Sequence, residues 1–257
     1  MSVITLTTDF GESDYYAGAL KGKILSINQQ ANITDISHHI STFNINHAAY
    51  VIGNAWSYFP EGTIHIIGVL SMPVFENRFL ILQKQSHYFI SSDNGIFSLL
   101  FGDKYDKIYK IKTNDRPSTF PEIEYFAETA GLLSLGEHPS TFTEEALQIK
   151  ENIPFRATHN GNSIKAAVMH IDNYQNVVLN VNRALFSEIG KGRKFSINYN
   201  RNDFIDQLHQ HFGEVPPIDK MCFFNHAGWL EIAINQGKAS ELLGLYQDSV
   251  LLIDFND

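Results

Sequence analysis

Asp9-Phe10-Gly11 is the first place in this sequence where a chemically useful side chain meets a backbone device able to hold it. Asp9 closes a short β-branched run, Val3-Ile4-Thr5-Leu6-Thr7-Thr8, and a carboxylate at a strand end can hold a small ligand by accepting its hydrogen bonds. The competing reading is an Asx-type turn with Gly11 at positive φ. A kinase reading of Asp-Phe-Gly fails, because such an enzyme needs a glycine-rich loop and a catalytic loop upstream and only eight residues precede Asp9. Asp35, His38, His39 and His47 have the residue types of a transition-metal site. Three ligands would have to converge, and the adjacent His38 and His39 should diverge along an extended segment, so no metal is expected.

The elements that must position these groups are legible from periodicity. Asp14 can cap a helix carrying Tyr16, Leu20, Ile24 and Ile27 on one face. Ile33 to Ile36 reads as a second strand. Ile45, Ala49, Ile52, Trp56 and Phe59 then repeat as one helix face, stopped by Pro60 and Gly62. Thr63 to Val69 is nearly continuous β-former, as a strand covered on both faces should be. This β, α, β, α, β order predicts parallel strands with right-handed crossovers and a ligand beyond their carboxyl ends, where Asp9 lies.

Further strands are expected at Arg78 to Gln83, Tyr88 to Ser91 and Lys107 to Lys112, with a tight turn at Asp93-Asn94-Gly95 and a helix around Tyr125 to Leu135. The polar stretch from Gly136 to Pro154 reads as a linker. Beyond it, short β-rich runs at 163–171, 177–181, 194–198, 221–224, 229–234 and 250–255 predict a mainly antiparallel unit. The expected fold is therefore an α/β N-terminal domain with a mainly parallel sheet over residues 1–145, followed by a smaller, β-rich, antiparallel C-terminal domain over 155–257.

Composition narrows the partners. In 257 residues, 44% are hydrophobic, enough for real cores. With 19 basic against 28 acidic residues the net charge is -9, so nucleic acid and anionic membrane surfaces are not expected partners. No apolar run approaches the roughly 20 residues of a membrane helix. The single cysteine, Cys222, cannot form an internal disulfide, and Asp9 and Glu12 interrupt any secretory core, which together point to the cytoplasm.

Longer stretches carry a family likeness. Thr7 to Gly11, Asp14-Tyr15-Tyr16, Gly18 to Gly22 and Ile33 to His38 come first. Ala48-Ala49-Tyr50, Phe59 to His65, Asp93-Asn94-Gly95, His170-Ile171-Asp172 with Asn176, and Gly228 to Ala233 through Ala239 to Leu245 follow in the same order. In this order the sequence resembles the S-adenosylmethionine hydroxide adenosyltransferases, which include the fluorinating and chlorinating enzymes. The resemblance implies a homotrimer with ligand sites in intersubunit clefts. It also implies cleavage of S-adenosylmethionine, as substrate and without a cofactor, to adenosine and methionine by water attacking the ribose 5′ carbon. Asp9 then matches the ribose-binding aspartate. Asn176 and Glu231 match adenosine contacts, His226 stands where the family has serine, Asp172 would face the methionine ammonium, and Ile234 would line the ligand.

The same resemblance exposes departures. Family members place an aspartate, an arginine and a histidine around the nucleophile. Here the aspartate position holds Leu70, or Ser71 with one residue inserted. Arg78 is one residue from the arginine position, and Pro121 replaces the histidine. Neither leucine nor proline can polarise water. Glu76, Glu122, Glu124, Glu128 and Ser71 are the nearby groups that could substitute, a displaced carboxylate orienting the water together with Arg78 as the remaining catalytic candidate. The leading expectation is an S-adenosylmethionine hydrolase-like protein acting through such a rewired site. The alternative is an inactive adenosine-type sensor, or a structural trimer, on the same fold.

Overall fold

The computed structural model describes residues 2–72, 78–114, 118–152, 156–200 and 203–256. The chain divides into two compact units, Met1–Pro154 and Phe155–Asp257.

The first unit begins β1 (Val3–Thr8), α1 (Tyr16–Ile27), β2 (Asn32–Ser37), α2 (Ile45–Gly53) and β3 (Ile64–Gly68). It continues with β4 (Phe79–Lys84), β5 (His87–Ser92), α3 (Ile96–Phe101), β6 (Lys107–Ile111), α4 (Ala127–Ser134) and β7 (Thr143–Glu145). The sheet order is β2-β1-β3-β5-β4-β6-β7. β1, β2, β3 and β5 are joined in parallel, whereas β4, β6 and β7 extend the sheet antiparallel. Every residue of β3 is buried, which explains its unbroken apolar character. Ile4, Leu6, Ile64 and Ile66 pack with Leu20 and Ile24 of α1 and Ala127 and Ala130 of α4. On the other face, Ile67, Leu80, Leu82 and Phe89 pack with Ala48 and Ile52 of α2 and with Phe97 of α3. The sheet is thus a middle layer with helices packed on both faces.

Several local expectations are corrected. Asp14 does not cap α1, whose N-cap is Tyr15 with no side-chain hydrogen bond. The periodic run from Ile45 to Phe59 is interrupted after Gly53 and resumes as a 3₁₀ turn at Trp56–Tyr58; the Asn54 N–H still reaches the Tyr50 carbonyl, but the Ala55 N–H bonds the Ile52 carbonyl three residues back, so the chain tightens there. Thr143–Glu145, inside the stretch that reads as a linker, is edge strand β7 paired with β6.

A buried histidine pair ties β1, β3 and β5. Thr5 Oγ1 meets His65 Nδ1 at 2.7 Å and His65 Nε2 meets His87 Nδ1 at 3.2 Å. Burial, then the neighbouring His87, pushes His65 down to about 3. The folded protein therefore keeps His65 neutral while the unfolded chain protonates it near the ordinary value. Stability from this group is complete above about pH 6.5 and falls as pH drops toward 3, by about 2 kcal/mol at pH 5. Denaturant midpoints should show this loss between pH 7 and 5 and a shallower one in His65→Gln; equal slopes in the two proteins would remove the assignment.

The second unit contains β8 (Thr158–His159), β9 (Ser163–Ile171), β10 (Val177–Asn182), α5 (Arg183–Gly190), β11 (Lys194–Asn200) and β12 (Asp203–Ile205). β13 (Lys220–Phe224), β14 (Trp229–Ile234), α6 (Ala239–Leu243) and β15 (Val250–Asn256) follow. Its sheet runs β12-β11-β15-β9-β10-β14-β13, with β8 on β9, and all of these pairings are antiparallel. Ile164, Val168, Val177, Leu179, Ile232 and Ile253 centre its core. Asn182 starts α5 by accepting the Leu185 N–H.

Candidate functional site

In the first unit the site groups gather where β1 and β3 end. Asp9 follows β1, and its carboxylate accepts the Phe43 N–H at 2.8 Å. Gly11 does adopt positive φ, at 67°, but its N–H goes to the His38 carbonyl. The side chain of Asp9 thus reaches across to a segment 34 residues away rather than closing a local turn. Burial raises its pKa, opposed by the Phe43 N–H and its own N–H. Behind it, Thr8 Oγ1 meets His38 Nδ1 at 2.7 Å, and His38 Nε2 lies 3.1 Å from Asp35, which also pairs with Lys21. Phe10, Tyr16 and Phe120 form a mutual aromatic cluster with centroids 5.2–5.9 Å apart, pinning the 118–122 loop beside the end of β1.

That loop delivers Glu122. Pro121 opens a wide π-type turn, Glu122–Phe126, ahead of α4; such turns redirect side chains and recur at functional sites. Glu122 is only 5% exposed, as is Ser71. Burial raises the Glu122 pKa, the Ser71 hydroxyl and the residue's own N–H oppose the rise, and the negative charge of Asp9 adds to it. Ser71 Oγ makes no hydrogen bond of standard geometry, so its contact with Glu122 is one of proximity.

The other substitute groups behave differently. Glu124 and Glu128 are exposed and line a groove with Lys23 and Lys112. Glu76 lies outside the described residues. Leu70, in the left-handed region at φ 50°, packs against the α2–α3 core. Arg78 lies 3.3 Å from Asp93 and donates to the Gln148 carbonyl at 2.7 Å, so it fastens the chain after β7 rather than meeting Glu122. His38 faces Thr8 and Asp35, His39 faces Glu12, and His47 bonds Ser41; among the described residues no group of three metal-type ligands converges.

In the second unit a separate polar cluster forms. Asp172 opens the turn between β9 and β10 and accepts the Asn176 N–H at 2.8 Å and the Asn176 amide at 3.0 Å. This is a turn role, with Gln175 in the left-handed region. Glu231, 7% exposed on β14 between β10 and β13, accepts from Asn225 at 2.9 Å and from Asn176. Burial raises its pKa and Asp172 adds to the rise, while the two asparagines oppose it. The Asn176 amide hydrogens are thus engaged by Asp172 and Glu231, leaving its carbonyl oxygen as the group it can offer a ligand. His226 sits exposed in the turn before β14. Ile234 packs in the core and under Gly237. Sequence reasoning missed Asn225, although Asn225-His226-Ala227-Gly228 carries a turn signature directly ahead of a strand, and missed the Phe43 N–H, for which side-chain chemistry offers no signal.

Residues 4–143 match the SAM hydroxide adenosyltransferase N-terminal domain and residues 166–251 match the C-terminal domain of the same name. A relative named (R)-S-adenosyl-L-methionine hydrolase from Methanocaldococcus jannaschii is 30% identical over 98% of this chain and 96% of its own. Another of that name from Thermus thermophilus is 26% identical over 95% and 96%. A crystal structure of an uncharacterized conserved protein from Thermotoga maritima superposes with a TM-score of 0.85 at 25% identity, covering 98% of this chain and 99% of that one.

Proposed function

The chain belongs to the SAM hydroxide adenosyltransferase family, and from that premise we propose that it binds S-adenosylmethionine or adenosine and hydrolyses S-adenosylmethionine to adenosine and L-methionine. The observation that carries the reading is Asp9, a half-buried carboxylate at a parallel-strand end, held by a distant backbone N–H and free of any local turn. Such a group suits a ribose diol, which offers two donors on one edge. The reaction itself needs little acid assistance, since the sulfonium leaves as a neutral thioether. The protein must exclude bulk water, align one water behind the carbon–sulfur bond and hold the ribose. No cofactor enters this scheme.

Asn176 and Glu231 are the adenosine contacts we favour in the second unit, with His226 at its rim. Asp172 acts through Asn176, and Ile234 supports the strand from the core side. We read the two clusters as half-sites that meet in intersubunit clefts of a homotrimer. The working compartment in this proposal is the cytoplasm, in keeping with a lone, buried Cys222; among the described residues no helix is long and apolar enough to cross a membrane.

Leu70 and Pro121 favour one rival, a sensor that binds without turnover. Incubating purified protein with S-adenosylmethionine and separating the products distinguishes them. Adenosine and methionine in equal amounts, absent with an Asp9→Ala control, are expected. Measurable binding with no adenosine would leave the sensor as the correct reading.

A further inference from the structure

We propose that Glu122, assisted by Ser71, is the catalytic base of this chain and holds the water that attacks the ribose 5′ carbon. The inference rests on the hydrolase reading above and deepens it.

The placement is geometric. β1 and β3 are parallel neighbours, with Thr8 opposite Gly68. A methyl group built on Gly68 would stand 2.9 Å from Glu122 Cγ, 3.3 Å from Glu122 Oε1 and 3.3 Å from Thr8 Cγ2. The carboxyl therefore lies directly against the two strand ends from which Asp9 and the Val69–Ser71 segment depart. Only glycine leaves room for it there. This is the place the sheet topology reserves for a ligand, and the group filling it comes from the start of α4 rather than from the loop after β3.

The hydrogen-bond inventory points the same way. A buried carboxyl offers about four acceptor positions and is normally satisfied. Here its own N–H and the nearby Ser71 hydroxyl are the donors beside it, and that hydroxyl is itself buried and makes no hydrogen bond of standard geometry. A carboxyl and a hydroxyl that each lack a full complement can jointly hold one water, which donates to Glu122 and accepts from Ser71. Burial and the Asp9 charge also make Glu122 a stronger base than an exposed carboxylate. The charged group that acts on it is Asp9. Glu124 and Glu128 are exposed and Arg78 is held by Asp93 and Gln148, so none of them competes for the role.

The step balances without another reactant. The water oxygen forms a bond to C5′ as the C5′–S bond breaks, and that electron pair stays on sulfur, which becomes the neutral thioether of methionine. The water proton passes to Glu122 and then to solvent.

The experiment compares the wild-type protein with E122Q, E122D and E128Q in adenosine formation across pH, in calorimetric adenosine binding and in thermal unfolding. E122Q should lower kcat by about 10²- to 10⁴-fold while KM and adenosine affinity stay within about threefold of wild type. E122D, which retains a base on a shorter arm, should keep a sloping acid limb at reduced kcat. E128Q should match the wild type. Because the raised pKa means that ionised Glu122 opposes folding above its pKa, E122Q should be no less stable than wild type at pH 8, which separates lost chemistry from lost structure. Wild-type turnover with E122Q within twofold of it overturns the role of Glu122 alone. Equal losses in kcat and adenosine affinity would make Glu122 a binding group and overturn it as well. No adenosine from the wild type at any pH overturns both this role and the hydrolase reading.

Discussion

Asp9→Ala should weaken adenosine binding by about 10²-fold and abolish its preference over 2′-deoxyadenosine. The magnitude follows from two charge-assisted hydrogen bonds to one diol, each worth about 1.5–3 kcal/mol, partly replaced by water in the variant. Asp9→Asn should fall between the two proteins. Its amide oxygen can still accept the Phe43 N–H that Asp9 accepts at 2.8 Å, so the loop keeps its place while the charge is lost. Titration calorimetry with both nucleosides reads this directly. An adenosine-to-deoxyadenosine ratio unchanged in Asp9→Ala would show that the carboxylate holds the Phe43 segment and nothing else.

Co-expressing Asp9→Ala with Asn176→Ala should restore activity that neither variant has alone. If one subunit's Asp9 cluster faces a neighbour's Asn176 cluster around a three-fold axis, a mixed trimer regains one intact site in three. Random assembly makes about three trimers in four mixed, so about a quarter of wild-type activity should return. Sites built within single chains would give none. The result therefore tests the shared cleft, and a mixture as inert as its parents would rule it out, while the number of subunits is read separately from the mass of the assembly in solution.

The sequence was informative where one face of an element is buried and opaque where chain direction is set from a distance. β3 and β14 are legible because their burial is continuous or nearly so. α3 was missed because Asp93-Asn94-Gly95 reads as a tight turn. In the structure Gly95 instead stands at the N-terminus of a six-residue helix, with Asn94 Oδ1 accepting from Ile96 N. β7 was missed because Thr143-Glu144-Glu145 has no β-type composition, and an edge strand needs little. In the site, Asp9 stands out from its place at the end of a β-branched run, whereas Asp172, Asn176 and Glu231 were legible only through the family resemblance. Glu122, by contrast, looks like one of three equivalent glutamates at 122, 124 and 128. Only the π-type turn, which no local pattern announces, separates the buried carboxyl from its two exposed neighbours.

Three loops that carry site groups share a backbone property. Phe43 at φ 61°, Leu70 at φ 50° and Gln175 at φ 67° all occupy the left-handed region, and none is glycine. Each costs about 1–2 kcal/mol relative to an ordinary conformation, and such strain persists where surrounding contacts over-determine it. Heat tolerance and ligand duty therefore pull against each other in this protein. Glycine at these positions would relax the chain, but it would also free the Phe43 N–H, the approach to Ser71 and the turn beneath Asn176 to wander. A lineage released from handling the ligand would be expected to harden at these loops first.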